Sequence, residues 1–138
     1  MRLVYCAGPY RAKTGWEIDQ NISRARQWGA LVAAAGAYPV IPHSNTAHFD
    51  GIAEDKFWLD STLELMRRCD AVLMMDGWTE SSGSRAEKAL AEKLKMPVLD
   101  PVWPSAREED RLALLKIWVS ALPSKNLFYD RFTEKTEI

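Results

Sequence analysis

The run Cys69-Asp70-Ala71-Val72-Leu73-Met74-Met75 constrains the fold of this chain more than any other stretch. Beyond Asp70 it contains no polar residue, so a strand formed here can face water on neither side. Strands buried on both faces belong in the middle of parallel sheets, with helices packed above and below. The remainder of the sequence meets that demand with alternating strand and helix patterns.

Residues 2–7 form a short apolar run closed by Gly8-Pro9, the pattern of a buried strand. From 16 to 35, Ile18, Ile22, Ala25, Leu31, Val32 and Ala35 fall mostly at helical spacing, and Gly36 ends the helix. Residues 38–42 read as a second strand whose two prolines suit a sheet edge, where a missing amide donor is tolerated. The stretch 43–55 reads as a polar loop. A helix is expected over 56–68, with Phe57, Leu59, Leu63 and Met66 as most of its buried stripe. After the 69–75 strand, Ser81-Ser82-Gly83-Ser84 opens a helix through Leu94, 96–99 gives a fourth strand, and 107–122 a last helix. Right-handed crossovers turn this alternation into an α/β fold: a doubly wound three-layer α-β-α sandwich on a mainly parallel sheet of four or five strands. The edge character of the second strand predicts the order 2-1-3-4. The expected organisation is one domain, 1–122, followed by a polar tail, 123–138.

The bulk properties narrow the function classes. The chain has 138 residues, 47% hydrophobic and 27% charged, with a formal net charge of -1. Such a balance exerts no overall pull toward a nucleic-acid polymer or an anionic membrane. No apolar run approaches the roughly 20 residues that a membrane-spanning helix needs. Met1 to Tyr10 is broken too early by Gly8-Pro9 to serve as a secretory signal, so a cytoplasmic protein is expected. Cys6 and Cys69 have neither disulfide-framework nor metal spacing and read as small buried hydrophobes. His43 and His48 lack an obvious third ligand, so neither a metal nor a cofactor is expected.

In doubly wound sheets ligands bind beyond the carboxyl ends of the strands, where the winding reverses. With the order 2-1-3-4, that point lies between strands one and three. Two loops converge there, Gly8-Pro9-Tyr10-Arg11 and 76–87. Gly8 permits close backbone approach to a ligand and Pro9 stiffens the turn, although a simple tight turn needs the same residues. Tyr10 can stack on a base and Arg11 can meet an anion; a solvated surface charge is the plain alternative for Arg11. Ser82, Gly83, Ser84 and Arg85 open a helix whose free amides and positive dipole end suit a phosphate or carboxylate, against ordinary serine capping. The same dipole is expected to keep Glu87 ionised, as a nucleophile or a stabiliser of positive charge requires. Asp76 can fix Glu87 or a sugar hydroxyl, or can be a plain turn residue, and Gly77 and Trp78 continue from it into the binding loop. His43 and Ser44, at the end of strand two, are placed in one wall. Among the tryptophans, Trp16, Trp58 and Trp78 lie near the loops as candidate stacking surfaces, with core packing as the alternative.

These stretches resemble the nucleoside 2-deoxyribosyltransferase-like superfamily, most nearly its branch labelled domain of unknown function 4406. The resemblance rests on Val4-Tyr5-Cys6-Ala7-Gly8-Pro9-Tyr10, Phe57-Trp58-Leu59, Arg68-Cys69-Asp70-Ala71-Val72-Leu73, the run from Asp76-Gly77-Trp78 to Ser84-Arg85-Ala86-Glu87, and Pro97-Val98. It implies chemistry at the N-glycosidic bond of nucleosides or nucleoside monophosphates. Glu87 matches the glutamate that attacks the anomeric carbon, giving a glycosyl-enzyme that passes to another base or to water. Ser82 and Ser84 match a 5′-phosphate grip, and a homo-oligomer with shared sites is implied as well. One position departs. Relatives often carry an aspartate on the helix before strand three that helps protonate the leaving base, and here it is Thr62. Asp60, two residues away, points about 200° around the helix and is no simple substitute.

Two other readings accompany this one. The same crevice can hold a nucleotide or phosphate ligand as a sensor without chemistry. Alternatively, Trp103, Leu115 and Trp118 can bury a contact with another protein or a second copy.

Overall fold

The apolar run becomes β3 (Ala71–Met74), an interior strand pairing with two neighbours in a computed structural model that describes residues 1–100 and 107–123. In chain order the elements are β1 (Leu3–Ala7), α1 (Gly15–Ala34), β2 (Tyr38–Val40), α2 (Pro42–Asn45), α3 (Asp55–Arg67), β3, a single 3-10 turn (Trp78–Glu80), α4 (Ser82–Lys93), β4 (Val98–Leu99) and α5 (Glu108–Ser120). The sheet is parallel throughout, in the order β2-β1-β3-β4, with Tyr5 opposite Val40 on one side and Val72 on the other. Among the described residues it has four strands. The polar tail and Trp103 lie outside the described residues, Pro123 apart.

Strand alternation divides the core into two layers, as the two-residue side-chain period requires. Val4, Cys6, Ala71, Leu73 and Met75 pack with Ala25, Trp28 and Val32 of α1 and Leu115 of α5. Tyr5, Ala7, Val72 and Met74 pack on the other face with Met66 of α3 and Ala91 of α4. The sandwich therefore has three layers, with α1 and α5 on one face and α3 and α4 on the other.

Several local expectations need correction. The 43–55 stretch is not all loop, because Pro42 at the first helical position starts the short α2. Phe57 and Leu59 are 54% and 37% exposed. The inward face of α3 instead runs Trp58, Thr62, Leu65, Met66, and that stripe meets the core while Phe57 turns toward solvent. Leu115 is fully buried within this chain's own core, against the first helical layer, so it has nothing to offer a partner; Trp118 packs on the same cluster. No described helix is long and apolar enough to cross a membrane.

Candidate functional site

A cleft of about 500 Å³ opens at the carboxyl end of β1, on the face that carries α3 and α4. Its floor is Tyr5 of β1 and Glu87 of α4. One wall is the Gly8–Arg11 turn with Pro42, His43, Thr46, Phe49 and Asp50; α3 contributes Asp55, Trp58, Leu59 and Thr62; the start of α4 contributes Glu80 to Ser84. The volume falls in the range of small-molecule sites.

Gly8 earns its place by packing. A Cβ there would come within 2.4 Å of Met75 Cε and 3.1 Å of Met75 Cβ, so the absent side chain lets β1 close onto the end of β3. The Gly8 carbonyl lies 2.9 Å from His43 Nε2. A carbonyl only accepts, so Nε2 carries the proton, and burial lowers the ring's pKa against the opposing effect of that bond. His43 is thus a neutral imidazole whose Nδ1 is a bare acceptor. Tyr10 stands edge-on to it at 6.1 Å and also ties the outer wall: its hydroxyl donates to Asp50 at 3.1 Å and accepts from the His48 amide at 2.9 Å. Arg11 grips Asp55 through two nitrogens, at 2.7 and 2.8 Å, and the guanidinium holds that carboxyl below its ordinary range.

Helix α4 is capped by Ser81, whose side chain accepts the Ser84 amide at 3.2 Å, while the Ser81 carbonyl receives the Arg85 amide. The Ser82 and Gly83 amides come too early in the helix to have a carbonyl behind them. Ser84 and Glu87, three apart, share the inward face and are 1% and 7% exposed. The expectation that Glu87 is held ionised does not survive. It is the sixth residue of α4, past the turn where the dipole acts, and burial pushes its pKa up to about 7. Tyr5 lies close enough to offset this slightly, yet no hydrogen bond of normal geometry closes between them. Burial first, and the Glu87 charge second, raise the Tyr5 phenol well above its own ordinary value.

Of the residues singled out from sequence, Gly8, Pro9, Tyr10, Arg11, His43, Ser82, Gly83, Ser84 and Glu87 line this cleft. Asp76 does not. Its carboxylate accepts from Arg111 at 2.7 Å on the α1–α5 side, because β3 ends at Met74 and the chain turns at Asp76, so strand alternation no longer sets its direction. Gly77 adopts a left-handed φ of 83° to turn the chain. Trp78 follows and donates to Asp100 at 2.8 Å, under the Lys88 ammonium. Arg85 donates to the Thr79 carbonyl at 2.7 Å, and Ser44 sits exposed on α2 outside the cleft. Trp58 is the one tryptophan of the three that reaches the site; Trp16 is 71% exposed. Sequence reasoning missed Tyr5, Phe49, Asp50 and Asp55. Only Tyr5 left a signal, as the sole polar side chain amid the apolar residues of β1.

The chain thus falls in the class of doubly wound α/β folds, with a polar-floored cleft beside the switch point, the place where ligands of such folds bind. Within that class, residues 2–100 match the family described as Domain of unknown function (DUF7768), and the chain belongs to it. The match takes in every strand among the described residues and every residue of the cleft. No curated protein matches the chain.

Proposed function

We propose that the cleft binds a nucleoside or nucleoside 5′-monophosphate and breaks or transfers its N-glycosidic bond through Glu87. One observation carries this reading. Among the described residues, the buried side-chain polar atoms without a protein partner are Tyr5 Oη, His43 Nδ1, Trp58 Nε1, Ser84 Oγ and Glu87 Oε2, and all five residues line the same cleft. Leaving such atoms unpaired costs about 1–3 kcal/mol each, a cost that a polyhydroxylated ligand relieves. The resemblance to the deoxyribosyltransferase-like superfamily supports the same assignment, with Glu87 in the nucleophile's position.

The chemistry follows from the floor. Ionised Glu87 attacks the anomeric carbon as the carbon–nitrogen bond breaks and the base departs, and water or a second base then displaces the sugar from the Glu87 ester. Ser84 Oγ and the Ser82 and Gly83 amides hold the sugar's far end, as hydroxyl or phosphate. Tyr10, Phe49 and Trp58 supply rings against the base. Screening nucleosides and their 5′-monophosphates for released base by chromatography tests the proposal. Glu87→Gln should lower turnover by at least about 10³-fold while leaving the fold intact; full activity in that variant would remove Glu87 from the mechanism. The position of Asp76, turned away to Arg111, and the hydroxyl at Thr62 favour a second reading, in which the cleft binds a nucleotide without chemistry. Tight binding with no product from any substrate would decide for it.

A further inference from the structure

Breaking an N-glycosidic bond to a neutral base leaves an anion unless a proton arrives as the bond opens, so a glycosidase for neutral nucleosides needs an acid on the base side. Tyr5 and Ser84 flank Glu87, on the attacking side, and in a displacement the base departs from the opposite side. Most other groups of the cleft walls are engaged or unsuited. The Nε2 proton of His43 is committed to Gly8, and its free nitrogen is an acceptor. Asp55 is held ionised by Arg11, Asp50 already accepts the Tyr10 hydroxyl, and Trp58 offers an indole N–H that is no acid. Thr62 brings only a hydroxyl, which donates to the Leu59 carbonyl at 3.1 Å.

The charges and rings of the cleft run the other way. Asp50, Asp55, Glu80 and Glu87 face one guanidinium, Arg11, and that guanidinium is spent on Asp55. Tyr10, Phe49 and Trp58 add aromatic surface, with Phe49 edge-on to Trp58 at 6.3 Å. Carboxylates beside aromatic rings favour an organic cation. Building on the glycosidase reading, we propose that the preferred substrates are N-glycosides whose glycosidic base already carries a positive charge, of the pyridinium or N7-alkylpurine type.

With such a substrate the balance closes without an acid. A Glu87 oxygen bonds to the anomeric carbon as the carbon–nitrogen bond breaks, and the electron pair of that bond neutralises the cationic ring. The base leaves as a neutral molecule. Water then adds to the anomeric carbon, its oxygen becoming the sugar hydroxyl and its spare proton passing to solvent, and the Glu87 carboxylate is restored. The bound cation also favours the ionised form of Glu87.

The test compares charged and neutral partners of one shape: nicotinamide riboside against its dihydro form, and 7-methylguanosine against guanosine. Turnover is followed by released base in the native protein, and affinity by calorimetry in Glu87→Gln. The expected result is a kcat/KM preference for the cation of about 100-fold or more, the usual contribution of a general acid. Binding of the cation should be about 10-fold tighter. Thr62→Asp, which adds a carboxyl group to the wall, should narrow the gap by raising turnover of the neutral partner. Equal turnover of both forms, dependent on Glu87, would overturn the proposal and leave the glycosidase reading standing. A faster cation with no tighter binding reflects only the lability of its bond and overturns it equally. No base release from any of the four would overturn the proposal, and the wider screen of nucleosides and their 5′-monophosphates then decides the glycosidase reading.

Discussion

Glu87 concentrates the conflict between folding and chemistry in one side chain. Its folded-state pKa of about 7 lies above the ordinary 4.5, so the native state binds a proton that the unfolded chain has already released between those values. The stabilisation is complete below 4.5 and is lost as pH rises through 7. Glu87→Gln, which cannot ionise, should therefore match the native protein at pH 4 and exceed it at pH 8 by up to about 3 kcal/mol. Urea denaturation at the two pH values reads the difference, and an equal offset at both would show that packing, not ionisation, is responsible. For catalysis the sign reverses. The nucleophile needs the ionised form, so kcat/KM should climb with pH through about 7, and a profile flat from pH 5 to 9 would contradict the assignment. Such a residue costs stability at neutral pH.

At the scale of elements, close approach decides where the cleft walls stand. Helix α1 lies so near β2 that a Cβ on Gly29 would meet Ile41 Cδ1 at 2.2 Å and Cγ1 at 3.0 Å. Gly29→Ala should cost about 1–3 kcal/mol, and adding Ile41→Val, which removes the outermost of those atoms, should recover part of it; thermal unfolding of the single and double variants measures the coupling. The start of α4 is set differently, by a side chain. Ser81→Ala removes the acceptor for the Ser84 amide and should destabilise the protein by about 1 kcal/mol. Because Ser82 and Ser84 ride on the same turn, KM should rise more than kcat falls. A loss confined to kcat would argue that the serines do not touch the ligand.

Across the whole molecule, α5 is joined to the sheet's switch point by one arginine. Arg111 donates to Asp76 and lies 4.4 Å from the centre of the Trp28 ring, while Leu115 anchors the same helix in the core. A double-mutant cycle over Asp76→Ala and Arg111→Ala should show a coupling of about 1 kcal/mol that shrinks in high salt, since the pair is partly exposed. A coupling near zero would mean that the apolar contacts of Leu115, Trp118 and Val119 hold the helix.

Much of this architecture is legible in the sequence itself. The unbroken apolar stretch at Ala71 to Met75 demanded cover on both faces, the prolines in 38–42 sent that strand to an edge, and together they yielded the parallel order β2-β1-β3-β4. The convergence of the Gly8 turn and the Glu87 helix start at one switch point followed from that order, because strand order alone sets which loops meet. What the sequence could not reveal was direction and depth. Asp76 and Glu87 look like equal carboxylates in the chain, yet one turns to Arg111 and the other is sealed above Tyr5. Phe57 and Trp58 are neighbours, yet only Trp58 enters the cleft. Which side chain is buried, and so which proton is held, depends on contacts between residues far apart in sequence. Local pattern carries the periodicity of an element; only the packed layers decide the electrostatic environment of each atom on it.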